Sequence, residues 1–152
     1  MCSVIKVDYA LRALLLLYAN DDKPIKCLAL AEEQQIPYKY LEAILSELRR
    51  AQIVASQRGN DGGYCLARSG DLITVADVIR AVDGPLAEIN GQKPENIDYS
   101  GPALHLKTVW IALRAAMRQI LETTTLADVA NGKLPENVIY LASNPDSWER
   151  RN

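Results

Sequence analysis

Cys2, Cys27 and Cys65 are the only thiols in the sequence and His105 the only imidazole. These side chains hold metals when they cluster at short spacings such as CxxC, and no such pair occurs, so no metal site is expected. The run Arg58-Gly59-Asn60-Asp61-Gly62-Gly63 has the glycine content of a phosphate cradle. A phosphate cradle needs a helix N-terminus directly after its glycines, whereas Tyr64 to Arg68 continues as a strand and Gly-Lys-Ser/Thr is absent. No catalytic residue is assigned and no enzyme is expected. What remains is recognition chemistry. Tyr38, Lys39, Tyr40, Glu42, Ala43, Ser46, Arg49, Arg50, Arg58 and Gly59 fall within 22 residues, and they are of the types that meet phosphates and base edges.

The charge distribution bounds how such a surface works. Seventeen Lys and Arg against 19 Asp and Glu give a net charge of -2, so bulk charge cannot drive binding to a polyanion, and a nucleic-acid surface has to be local. From Pro37 to Arg68 the balance is +2, with Lys39, Arg49, Arg50, Arg58 and Arg68 against Glu42, Glu47 and Asp61. The composition, 49% hydrophobic and 24% charged over 152 residues, is that of a folding globular chain. The longest apolar run, Ala13 to Ala19, fits neither a membrane span nor a secretory signal. A cytoplasmic protein without membrane partners is expected, with thiols that pack as small hydrophobes.

The elements that must position these residues follow from periodicity. Ile5 to Ala19 is apolar nearly all round, with Lys6, Asp8 and Arg12 on one side, and reads as a mostly buried helix. Leu28 to Gln35 reads as a short helix. After Pro37, Tyr38 to Ala51 places Leu41, Ile44, Leu45 and Leu48 on one helical face. Ile53 to Arg58 and Tyr64 to Arg68 form a hairpin around the glycine-rich tip. Thr74-Val75-Ala76-Asp77 opens a helix as a capping box, and Gly84-Pro85 ends it. Gly84 to Leu104, with three prolines, reads as a long loop. A long helix from His105 to about Thr124 follows, then a short one capped by Thr125 and Asp128. Residues 133–152 carry no clear periodicity.

Three helices and a hairpin in this order make a winged helix-turn-helix. Two helices crossing at roughly 90 to 120° need a small residue and fixed apolar offsets at their junction. Ala31, Leu30, Ile36, Leu41 and Ile44 supply them, while Gln35 stands where glycine usually takes the left-handed turn conformation. With its inner face pinned, the helix after Pro37 presents Lys39, Glu42, Ala43 and Ser46 outward as base readers. Tyr38, Lys39 and Tyr40 suit phosphates at its N-terminus, and Arg58 beside Gly59 can enter a minor groove.

Several segments together resemble the Rrf-two family of bacterial regulators. They are Asp8-Tyr9-Ala10-Leu11-Arg12-Ala13-Leu14, Ile36-Pro37 with Tyr40-Leu41-Glu42, Leu48-Arg49-Arg50-Ala51, Arg58-Gly59 with Gly62-Gly63-Tyr64, Leu66-Ala67-Arg68, and Val78 to Val82 with Gly84-Pro85-Leu86. The resemblance spans roughly Val4 to Asn131. It implies a homodimer of winged-helix subunits, joined through the long helix and bound to a palindromic operator. It also implies that iron- and nitric-oxide-sensing members hold an iron-sulfur cluster with three cysteines in the loop matching Gly84 to Leu104. This loop has none, so a cluster-free member without a cofactor is expected.

The expected fold is mainly α with a small β-hairpin wing. Residues 1–83 form the winged helix-turn-helix, 84–104 a loop, 105–132 the dimerisation helix with a short following helix, and 133–152 a tail. Trp110, Leu113, Met117, Ile120 and Leu121 share the face assigned to the dimer. The expected function is a sequence-specific DNA-binding transcriptional regulator, a repressor, whose partners are an operator duplex and a second copy; the sequence names no effector. The alternatives are a winged-helix protein-interaction module and a thiol-based redox regulator using Cys27 or Cys65.

Overall fold

The computed structural model describes residues 4–21 and 23–151. Helix α1 (Val4–Ala19) buries Val7, Ala10, Ala13, Leu14 and Leu17 along one stripe, at the three- and four-residue spacing of a helical face. Its other side is less enclosed than the expected all-round burial, and Val4 and Ile5 at its start are exposed. Around it stand α2 (Cys27–Gln34), α3 (Tyr38–Arg50), the hairpin β1 (Val54–Gln57) and β2 (Gly63–Leu66), α4 (Val75–Val82) and α6 (Leu126–Asn131). Leu14, Leu30, Leu41, Ile44, Leu45, Leu48, Ile73 and Leu126 meet in one core. Burying each such side chain stabilises the fold by about 1.5–3 kcal/mol.

The helix-turn-helix turn closes as the apolar spacing predicts. Leu30, Ala31 and Ile36 are buried, and Gln35 takes the left-handed conformation at φ 54° and ψ 45°. Ile36 N–H donates to the Ala31 carbonyl at 2.9 Å and Gln35 N–H to the Glu32 carbonyl at 3.3 Å, the pairing that satisfies the last carbonyls of a helix.

The wing is antiparallel, with Val54 opposite Leu66 and Gln57 opposite Gly63. A further rung, on the other side of β2, comes from Ile25, which exchanges backbone hydrogen bonds with Tyr64 at 2.9 and 2.8 Å. This rung explains Gly63. Its φ is +150°, and a Cβ there would lie 2.5 Å from the Ile25 carbonyl carbon.

Both expected capping boxes form. Thr74 and Asp77 close one, Thr125 and Asp128 the other. The two caps are also neighbours in space, because Val75 N–H donates to the Thr124 carbonyl and Leu126 N–H to the Ile73 carbonyl.

Three features add to the sequence reading. The long helix α5 (Leu106–Leu121) has no fully buried residue, and its apolar residues split among several neighbours. Met117 and Leu121 pack on the chain's own core, Ile120 lines a groove with Val138 and Leu141, and the Trp110 indole N–H donates to the Tyr99 hydroxyl at 3.2 Å. The tail contains α7 (Glu136–Ser143) and a short turn at Pro145–Ser147, so it is not featureless. Finally, the 84–104 loop is ordered along α5. Lys107 Nζ reaches the Glu95 carbonyl and Asp98 Oδ1, each at 3.3 Å, and Arg114 pairs with Glu95 at 2.7 Å.

Candidate nucleic-acid interface

Helix α3 is built with two opposed faces. Leu41, Ile44, Leu45 and Leu48 are fully buried, which fixes the rotation of the helix about its axis. Lys39, Ala43, Arg49 and Arg50 are therefore exposed and Glu42 and Ser46 half-buried, as the periodicity predicts for an outward face.

Contacts within this face qualify individual roles. Lys39 Nζ lies 3.1 Å from Glu42 Oε2 and over the Tyr38 ring at 5.8 Å. The hydrogen bond to Glu42, with its charge adding, pushes the Lys39 ammonium pKa up. The pair is exposed, so it opens at little cost when either group finds a base or a phosphate. Arg49 reaches the Ser56 hydroxyl at 3.3 Å, joining the end of α3 to the wing. Among the described residues Arg50 and Arg58 have no ion-pair or hydrogen-bond partner. Arg58 stands exposed at the wing tip, next to Gly59 at φ +106°. Arg68 is instead turned to Asp77 at 3.7 Å.

Tyr38 and Tyr40 are both partly exposed, and Tyr40 also packs across a helix junction. Its ring meets Tyr9 of α1 edge to face at 5.7 Å. Lys6 of α1 holds Glu47 farther along α3 at 2.8 Å. Helix α1 thus braces α3 at two points, a role that the sequence reading did not assign. Lys6, Tyr9 and Arg12 do recur at three-residue spacing along α1, but that spacing does not name their partners across the helix junction.

The two described thiols offer little reactivity. Burial, with the charge of Glu42 second, pushes the Cys27 pKa up, whereas a redox-sensing thiol needs it lowered. Cys65 is buried in β2, its Sγ 3.9 Å from the Ala55 carbonyl. Cys2 lies outside the described residues.

Residues 5–132 match the Rrf2 family, described as an iron-dependent transcriptional regulator. The Mycobacterium tuberculosis (strain H37Rv) protein Rv1287, which carries the name of an HTH-type transcriptional regulator, is 49% identical over 140 residues, 91% of this chain and 87% of its own. The solved structure of CymR, the global cysteine regulator of Bacillus subtilis, is similar with a TM-score of 0.70 at 32% identity, covering 84% of this chain and 94% of that one. The structure of T. potens IscR is similar with a TM-score of 0.67 at 30% identity, over 89% and 93%. Among the described residues the iron in the family description finds no fitting donor set. Loop 84–104 holds no cysteine, Cys27 and Cys65 lie in α2 and β2, and no group of three or more His, Cys, Asp or Glu among the described residues is arranged to hold a metal ion.

Proposed function

The chain belongs to the Rrf2 family of DNA-binding, winged helix-turn-helix transcriptional regulators, and from that premise we propose that it is a sequence-specific regulator, active as a homodimer on a palindromic operator. The observation that carries this reading is the two-faced α3, pinned by four fully buried residues and flanked by unpaired Arg58 at the wing tip. A helix so fixed can enter the major groove with Glu42, Ala43 and Ser46 toward the bases, while Lys39 at its N-terminus and Arg49 and Arg50 at its end meet phosphates and Arg58 the adjacent minor groove.

The dimer reading rests on α5. An amphipathic helix of 16 residues with none fully buried in its own chain calls for a partner, and the exposed stripe Leu106, Val109 and Leu113 suits a second copy. Of the five residues assigned to the dimer from sequence, Leu113 is the one on this open stripe. Two copies would give the two-fold symmetry that a palindrome mirrors. Occupying the operator excludes other proteins from it, which makes repression the simplest output. The protein works without an iron-sulfur cluster, without enzymatic activity, and in the cytoplasm where its DNA is found. A gel shift titrated with salt tests the DNA surface: operator affinity should fall steeply with salt and be reduced by Arg58→Ala. Binding indifferent to both would favour a protein-interaction role.

A further inference from the structure

The root of the wing forms one wall of a groove of about 580 Å³, none of whose lining residues belongs to the DNA surface proposed above. Its volume is that of a small-molecule site. Three parts of the chain build it: the end of α1 and the turn after it with Tyr18 and Asp21, β2 and the residues after it with Leu66 and Arg68, and Asn131 at the end of α6. The Tyr18 ring lies against the backbone of Gly70, where a Cβ would stand 2.4 Å from a ring carbon, so glycine at that position leaves the ring its place. The Asn131 amide donates to the Tyr18 hydroxyl at 3.3 Å and holds the polar end of the same ring.

Two opposite charges line this groove with bonding capacity to spare. Arg68 meets Asp77 at 3.7 Å, beyond hydrogen-bond length, and the Asp77 oxygen it meets already accepts from Thr74 N–H at 3.0 Å. The guanidinium fork therefore keeps free donors. Asp21 is exposed and has no ion-pair partner among the described residues.

We infer that the groove is an effector site for a small zwitterion of the amino-acid type, its carboxylate on the Arg68 fork, its ammonium on Asp21 and its apolar part beside Tyr18 and Leu66. A planar guanidinium takes a carboxylate through two parallel N–H bonds, a pairing that the long contact with Asp77 does not supply. Asp21 adds the opposite charge, which selects against ligands that are anions only. The occupant would also bridge the wing root to α6, the helix that follows α5. Ala67 N–H donates to the Ile53 carbonyl at 2.9 Å and so ties the groove to the start of the wing. A ligand that favours one relation of the wing to α6 changes operator affinity, and the operator changes the ligand's affinity by the same factor.

The effector role rests on the wing and α3 meeting DNA, whereas binding in the groove does not, and the test keeps the two apart. The full-length protein is titrated by calorimetry with the common free amino acids, and with acetate and ethylamine as probes that carry one charge each. Operator binding is then measured with and without the amino acid that binds. The expected result is saturable binding of one or a few amino acids with Kd on the order of 1 mM or tighter, none of the single-charge probes, and operator affinity changed by roughly fivefold or more when the groove is filled. Asp21→Asn removes the charge and keeps a residue type that tolerates the left-handed backbone at φ 48°. Arg68→Gln removes the fork. Each should weaken ligand binding about tenfold, the loss expected for one charge-assisted hydrogen bond, with thermal melting recorded to show that the variant is folded. Four results would overturn the inference: no amino acid binds, acetate binds as well as the amino acids do, folded Asp21→Asn binds the ligand like the wild type, or the filled groove leaves operator affinity unchanged. If Lys39→Ala and Arg58→Ala leave operator binding intact, the DNA surface is misplaced, while titration of the free protein still decides the groove.

Discussion

Lys39 and Arg58 carry the same charge but are held differently, and their substitutions should read differently. Lys39 is exposed and leans on Glu42 and Tyr38, so it is free to swing to a phosphate. Lys39→Ala should reduce the log-log salt slope of operator binding by about 1. Arg58, unpaired at the wing tip, should cost affinity on the operator when changed to Ala, measured by titration at fixed salt; equal binding by both variants would displace the surface. Ligand arithmetic supplies a second expectation. Cys27 and Cys65 are the thiols of the described residues and neither lies in the loop, so protein purified without oxygen should contain no stoichiometric iron or sulfide. Finding both would restore a cluster by some other donor set. Single residues were legible in the sequence where a local rule assigns them one role, as it does for the caps Thr74 and Thr125 and the inward leucines of α3. Tyr9 and Arg12 were not, because their partners Tyr40 and Gln34 lie across a helix junction that no local spacing reveals.

Elements with strong periodicity, α1, α3 and α4, lie within a residue or two of where the pattern puts them. The short α7 leaves a faint pattern because it buries no residue completely; its start at Pro135 and Glu136 was the available signal. The loop 84–104 shows why glycine and proline content alone does not decide order. Glu95, Asp98 and Tyr99 are tied to Arg114, Lys107 and Trp110, three residues along one side of α5. A hydrogen bond from its own backbone, with Arg114 second, holds the Glu95 pKa below its ordinary 4.5. A lowered carboxylate pKa contributes to the folded loop above the unfolded value, and that contribution is lost as pH falls through the folded one. Protection of the amides around Ile97 to Tyr99, taken relative to the intrinsic exchange rate at each pH, should therefore fall in Arg114→Ala at neutral pH, and in the wild type as pH drops below about 4.5. Unchanged exchange in Arg114→Ala would mean that the loop is held by something other than this clamp.

For the whole molecule, the question is what α5 does with the apolar surface that its own chain leaves open. The chain uses Met117 and Leu121 as core margin, so charged substitutions there would disturb the fold itself. Leu113 is 47% exposed and separates the two effects. Leu113→Glu should leave helicity intact yet shift the protein toward monomer in sedimentation, since burying an unpaired carboxylate in a dimer costs several kcal/mol. A variant as dimeric as the wild type would move the interface off this stripe. The central claim is that two copies of one reading helix address DNA together. Selection of bound sequences from a random duplex pool by the full-length protein tests it directly. The expected result is enrichment of a palindrome, two inverted half-sites about one helical turn or a multiple of it apart, roughly 10 bp or 20 bp centre to centre. Enrichment of a single unpaired half-site, or of no sequence at all, would contradict it.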